Sequence, residues 1–262
     1  VLEYENDFKV LVLVIEKRNE MNNQERLKTI WSDFQGKFEN NSLKEIFNHR
    51  YVHSKVDTTK KILFTGINPS YNDKPHDPEP YDVHEAAVKG YKRYYGKFQD
   101  IANHCGFNND WTYLDLFYFR ATNQRDLNLF LKDEIGLQFL CEQLLLTQEV
   151  LEEIKPKLIL VFNKRSHDFW GKNATSLSNI WMGYDFKPVQ INGFENNGDL
   201  KVINGLVDSE GRISKNNITK TNLEGTLVYF LNFFQYAKAE YKEEIKENIN
   251  KIIQSNEFIN GL

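Results

Sequence analysis

The chain predicts an α/β protein. Its expected architecture is three-layered, helix on sheet on helix, around a central, mostly parallel four-stranded sheet with an inserted β-rich region. Three observations carry this. Four short, largely apolar runs, at 62–65, 111–117, 157–162 and 225–231, have the continuous hydrophobicity of strands buried on both faces. The stretches between them place apolar residues at helical spacing. Strand alternating with helix favours parallel pairing through crossovers, and 262 residues suffice for one sizeable core.

In chain order, residues 1–20 are expected to be a leader or non-native extension before Met21, the expected natural start, or else an added strand; 21–262 form a single domain. From Asn22, Leu27, Ile30, Trp31, Phe34 and Phe38 fall on one helical face. Ser42 and Glu45 suggest a capping box for a second helix. The strand Ile62–Thr65 ends at Gly66, a residue free to take backbone angles that others avoid. Pro75, Pro78 and Pro80 mark a loop over 72–82. One helix is expected over 83–105, with Tyr91, Tyr95 and Phe98 inward, and another over 126–154, broken near Gly136. A short helix follows over 164–170. The Asn- and Gly-rich stretch 173–224 reads as an inserted hairpin or edge-strand region, and 237–253 as a charged closing helix.

Composition narrows the function. Cys105 and Cys141 are the only cysteines and lack metal-type spacing, as do the histidines, so no metal and no cofactor are expected. Net charge is −4, which gives no global basic signature for nucleic acid. No apolar stretch is long enough to span a membrane. The expectation is a cytoplasmic monomer without a membrane partner.

Chemistry-bearing residues gather just after the predicted strands. Gly66-Ile67-Asn68-Pro69-Ser70-Tyr71 follows the first, and Pro69 restrains Asn68 to extended backbone. Asp115, Phe117, Arg120 and Thr122 follow or end the second; Asn163, Lys164 and Arg165 follow the third. Asn232, Phe233, Phe234 and Gln235 follow the fourth. In a parallel sheet these positions share one rim, where ligands bind. Each has a bland reading beside it: a turn asparagine, an Arg–Asp pair, an N-cap, core aromatics.

G-I-N-P-S after a strand resembles the first motif of the uracil-DNA glycosylase superfamily, closest to its mismatch-specific thymine/uracil branch. The segments DLFYFRAT and IKPKLILVFNKRSHDFW are similar to that branch's second- and third-strand segments, in the same order. The resemblance covers roughly residues 60 to 255 outside 173–224. It implies a glycosylase-like domain acting on uracil or a mispaired or modified base. By the same resemblance Asn68 positions the attacking water. Gly66, Ile67, Pro69, Ser70, Tyr71, Asp115 and Phe117 frame the base pocket. Arg120, Thr122, Asn163, Lys164, Arg165 and Asn232 to Gln235 lie toward the nucleic acid. Ser70 replaces the motif's final glycine, and 232–235 lacks the family's Pro-Ser-type loop, leaving Phe233 or Phe234 as the apolar wedge.

The partner is thus DNA, single- or double-stranded, or a nucleobase ligand. The enzyme implied is monofunctional and metal-free. A catalytically weak or inactive module binding nucleobases or single strands on the same fold is the alternative. A distant nucleotide-binding protein ranks third, since no phosphate-loop or dinucleotide fingerprint is present.

Overall fold

Asn22 opens the first helix, α1 (Asn23–Phe34), with a reciprocal cap: its side chain accepts from the Glu25 amide, and the Glu25 carboxylate accepts from the Asn22 amide. The computed structural model describes residues 22–72, 80–123, 125–172, 180–194, 199–232 and 237–261; the expectations for residues 1–20, Phe233, Phe234 and Gln235 lie outside these. The box expected at Ser42 is replaced by a simpler cap. Asn40 begins α2 (Asn41–Asn48) by accepting from the amides of Ser42 and Leu43.

Strand β1 (Ile62–Gly66) follows. The helix expected over 83–105 is two helices, α3 (Val83–Val88) and α4 (Lys92–His104). Gly90 separates them with φ at 78°, a left-handed turn that suits glycine. After β2 (Trp111–Asp115) come α5 (Asp126–Leu131) and α6 (Glu134–Ile154). Their break lies just before Gly136, which sits in the first turn of α6; a Cβ there would meet the Phe130 backbone at 2.6 Å. Then follow β3 (Leu158–Phe162), α7 (Ser166–Trp170), β4 (Tyr184–Pro188), β5 (Leu200–Leu206), β6 (Leu227–Leu231), α8 (Ala239–Ile253) and α9 (Asn256–Asn260).

The sheet has six strands rather than the expected four, in the order β2-β1-β3-β6-β5-β4. Strands β2, β1, β3 and β6 are mutually parallel; β5 pairs antiparallel with β6, and β4 with β5. The two extra strands come from the 173–224 region. They join the main sheet because the outer edge of β6 offers open backbone groups and Leu200 and Ile203 need burial. Buried Glu152 on α6 ties this region down: it accepts from the hydroxyls of Tyr184 (3.0 Å) and Thr221 (2.7 Å) and from the Asn222 amide.

Side chains alternate between two cores. Ile62, Phe64, Trp111 and Leu160 pack with α3, α4 and α8, through Val83, Phe98 and Ile249. Leu63, Leu114, Ile159 and Val228 face α1, α2, α5 and α6. The chain leaves β1 toward β2 on one side and β3 toward β6 on the other, so the strand order reverses between β1 and β3. A crevice beyond the carboxyl ends is expected at such a point.

Candidate functional site

The loop leaving β1 is stapled to the segment leaving β2 along its length. Gly66 O accepts from the Leu116 amide and Ile67 O from the Phe117 amide, at 3.2 and 2.9 Å. Pro69 O accepts from the Ala121 amide at 3.0 Å, and Tyr71 O from the Thr122 hydroxyl at 2.7 Å. Asn68 closes the joint: its Nδ2 donates to Ala121 O at 2.8 Å and Pro69 O at 3.0 Å. Both partners are carbonyls, so the atom facing them must be the amide nitrogen. The carbonyl half, Oδ1, has no hydrogen-bond partner among the described residues, and Asn68 is half-buried on a cavity wall.

Asp115 ends β2, and Tyr113, two residues earlier, lies on the same strand face. The Tyr113 hydroxyl donates to Asp115 Oδ1 at 2.7 Å and pairs with the Tyr94 hydroxyl at 3.0 Å. Burial pushes the Asp115 carboxyl up to about 7, with the Tyr113 hydrogen bond pulling the other way. The same burial raises the phenols of Tyr81, Tyr94, Tyr95 and Tyr113, which therefore stay neutral. Gly66 pairs in register with Asp115. It lacks the positive φ that its backbone freedom suggested. Its role is spatial: a Cβ there would lie 2.0 Å from the Tyr113 hydroxyl.

Together these elements enclose a cavity of about 1010 Å³ at the carboxyl rim of β1, β2 and β3. Asn68, Asp115 and Asn163 stand on its wall, with Gly66, Ile67, Pro69 and Ser70 along one side. Tyrosines 81, 91, 94, 95 and 113 make the aromatic side. Sequence reasoning did not assign this group to the site. Its available signal was Tyr91, Tyr94 and Tyr95 at helical spacing, which reads equally as core. Among the described residues, no group of three or more His, Cys, Asp or Glu is placed to hold a metal ion.

The other expected site residues divide between the core, the cavity rim and the outer surface. Phe117 belongs to the core: it is fully buried with its ring against Phe169, centroids 4.9 Å apart, and does not line the cavity. Tyr71 stacks on His49 at 3.5 Å and lies under the Arg120 guanidinium, so one ring face is already covered. Arg120 is 4% exposed. It donates to Asn72 Oδ1 and His49 O, while its own carbonyl accepts from His49 Nδ1, which makes it a strut between loops that also touches the cavity. Thr122 is exposed at the rim. Asn163 Oδ1 accepts from the Arg165 amide at 2.9 Å, shaping the turn after β3. Lys164 and Asn232 are exposed and stand off the cavity, and Arg165 reaches Asn128 on α5. His167 is buried behind this turn, donating through Nε2 to Leu231 O at 3.2 Å.

No family model matches the chain, and a search of curated proteins returns no match. Among the described residues, no helix is long and apolar enough to cross a membrane.

Proposed function

We propose that the cavity receives a nucleobase flipped out of a DNA strand, and that the chain hydrolyses its N-glycosidic bond with a water held by Asn68 Oδ1. The observation that carries this reading is the divided state of the Asn68 amide. Its nitrogen is bound to two backbone carbonyls, which leaves an oriented acceptor on the wall of an aromatic-lined cavity. The G-I-N-P-S resemblance supports the same assignment, and with it a glycosylase-like reading of the four parallel strands, to which 173–224 is an addition. Flipping a base costs a few kcal/mol, least for a mispaired one. An amide oxygen orients water but is a weak base, so turnover is slow. The test is release of uracil, hypoxanthine or mismatched thymine from single- and double-stranded oligonucleotides. Asn68→Ala is expected to lower the rate about 10²–10³-fold, the scale of losing one preorganised polar group. An active wild type with an equally active variant overturns the assignment.

A second reading is a binding module without turnover. The cavity wall carries both signs, Lys55 and Arg120 against Asp82 and Glu85, which suits holding a neutral base more than tracking phosphates. Base binding with shallow salt dependence and no release selects this reading.

A further inference from the structure

We infer that Asp115 acts as a neutral carboxylic acid, donating a hydrogen bond from Oδ2 to a carbonyl oxygen of the bound base at the position where uracil carries an oxo group and cytosine an amine, so that the cavity selects an oxo group over an amino group at that position. This rests on the reading of the cavity as a nucleobase site.

The geometry divides the carboxyl group into two halves. Oδ1 is occupied by the Tyr113 hydroxyl at 2.7 Å, which is itself engaged with Tyr94. Oδ2 has no hydrogen-bond partner among the described residues, and Asp115 lies on the cavity wall. The groups around it on the cavity side are phenols: Tyr113 from β2 itself, Tyr94 and Tyr95 from α4, and Tyr81 from the segment before α3. β1 brings Gly66, which has no side chain. Among the described residues no lysine, arginine or histidine offsets its charge. A buried carboxyl without a cation keeps its proton, here up to about 7. With Oδ1 accepting from Tyr113, the proton resides on Oδ2 and is offered to the cavity. An oxo group accepts it; an exocyclic amine does not.

The same contact assists hydrolysis. As the C1′–N bond breaks, its electron pair stays with the base and charge spreads to the carbonyl oxygen. The water oxygen forms the new C1′–O bond, and the proton it loses passes to solvent and finally to the base nitrogen. Asp115 keeps its proton throughout; its hydrogen bond strengthens as charge builds on the acceptor.

The experiment is calorimetric binding of free uracil and free cytosine to the full chain between about pH 5.5 and 8.5. For the wild type, uracil affinity is expected to fall about tenfold between about pH 6 and 8, as the donor ionises, with cytosine weaker at the lower pH. Asp115→Asn supplies an amide donor at every pH and is expected to bind uracil with a flat profile. Tyr113→Phe removes the bond that favours ionisation, so its uracil profile is expected to shift to higher pH. Thermal unfolding establishes that each variant is folded. A flat wild-type profile, the same slope in Asp115→Asn, or a preference for cytosine overturns the inference. Base release measured alongside keeps the two readings apart. Release with a flat profile overturns the Asp115 role alone, and pH-dependent binding without release overturns hydrolysis alone.

Discussion

Gly66 and Asp115 are register partners at the ends of β1 and β2, so close that a Cβ on the glycine would lie 2.2 Å from Asp115 Oδ1. Gly66→Ala must therefore displace the carboxyl or the Tyr113 hydroxyl that it holds. The expected loss is about 1–3 kcal/mol of stability, the usual range for overpacking a filled site. Urea unfolding measures it, and a variant as stable as wild type contradicts the crowding described.

The Asn68 amide predicts an ordering of variants. Asn68→Ala leaves Ala121 O and Pro69 O without their shared donor. Asn68→Asp, when ionised, also places an anion against both carbonyls. At neutral pH both are expected to destabilise, by about 1–3 kcal/mol for alanine and by more for aspartate. Equal stability of the two, or greater stability of the aspartate variant, refutes the assigned orientation.

Asp115 makes stability depend on pH. Its carboxyl rises from 3.8 to about 7 on folding, so the folded state holds the proton more tightly than the unfolded chain. That contribution is complete below about pH 4 and is lost as pH rises through about 7. Asp115→Asn removes the dependence. Relative to wild type it is expected to gain stability at about pH 8, by at most about 4 kcal/mol, with little gain at about pH 4. Paired thermal melts at the two pH values provide the check.

His167 acts in the opposite direction. Burial, then the nearby Lys172 charge, lower its imidazole from 6.5 to about 4. Its contribution is present above about pH 6.5 and is lost as pH falls through about 4. His167→Gln retains a donor for Leu231 O without a titrating ring. Its acid limb in a stability–pH profile is expected to be flatter than that of wild type; an unchanged limb assigns acid sensitivity to other groups.

Glu152 anchors the added strands to the core. Glu152→Ala leaves the Tyr184 and Thr221 hydroxyls and the Asn222 amide without their acceptor. The expected loss is about 3 kcal/mol or more, since each stranded buried donor costs about 1–3 kcal/mol. Hydrogen exchange should show the loss of protection concentrated in β4 and β5, and uniform loss contradicts a local anchor.

The parallel strands were legible because buried strands leave a local signature. The run Leu158–Phe162 is uniformly apolar, and so is Leu227–Leu231. Asn68 was legible as a rim residue because Gly66 and Pro69 punctuate the chain beside it. The partners of Arg120 were hidden for the converse reason: the sequence offered a neighbouring carboxylate as its pair, whereas His49 and Asn72, which it bonds, lie far away in sequence. The tyrosine wall was hidden because α4 presents its aromatics at the spacing of any core-facing helix. The attachment of β5 to β6 depends on which strand edge is open, and that follows from the order of strands in space.

Pairing with β5 has a consequence beyond the core. It moves the outer border of the sheet from β6 to β4, whose last residues, Lys187 and Pro188, are exposed. An ammonium group and a ring nitrogen that cannot donate make that border a poor template for a strand from another molecule. At those two residues the appended strands present a border unfavourable to further strand pairing.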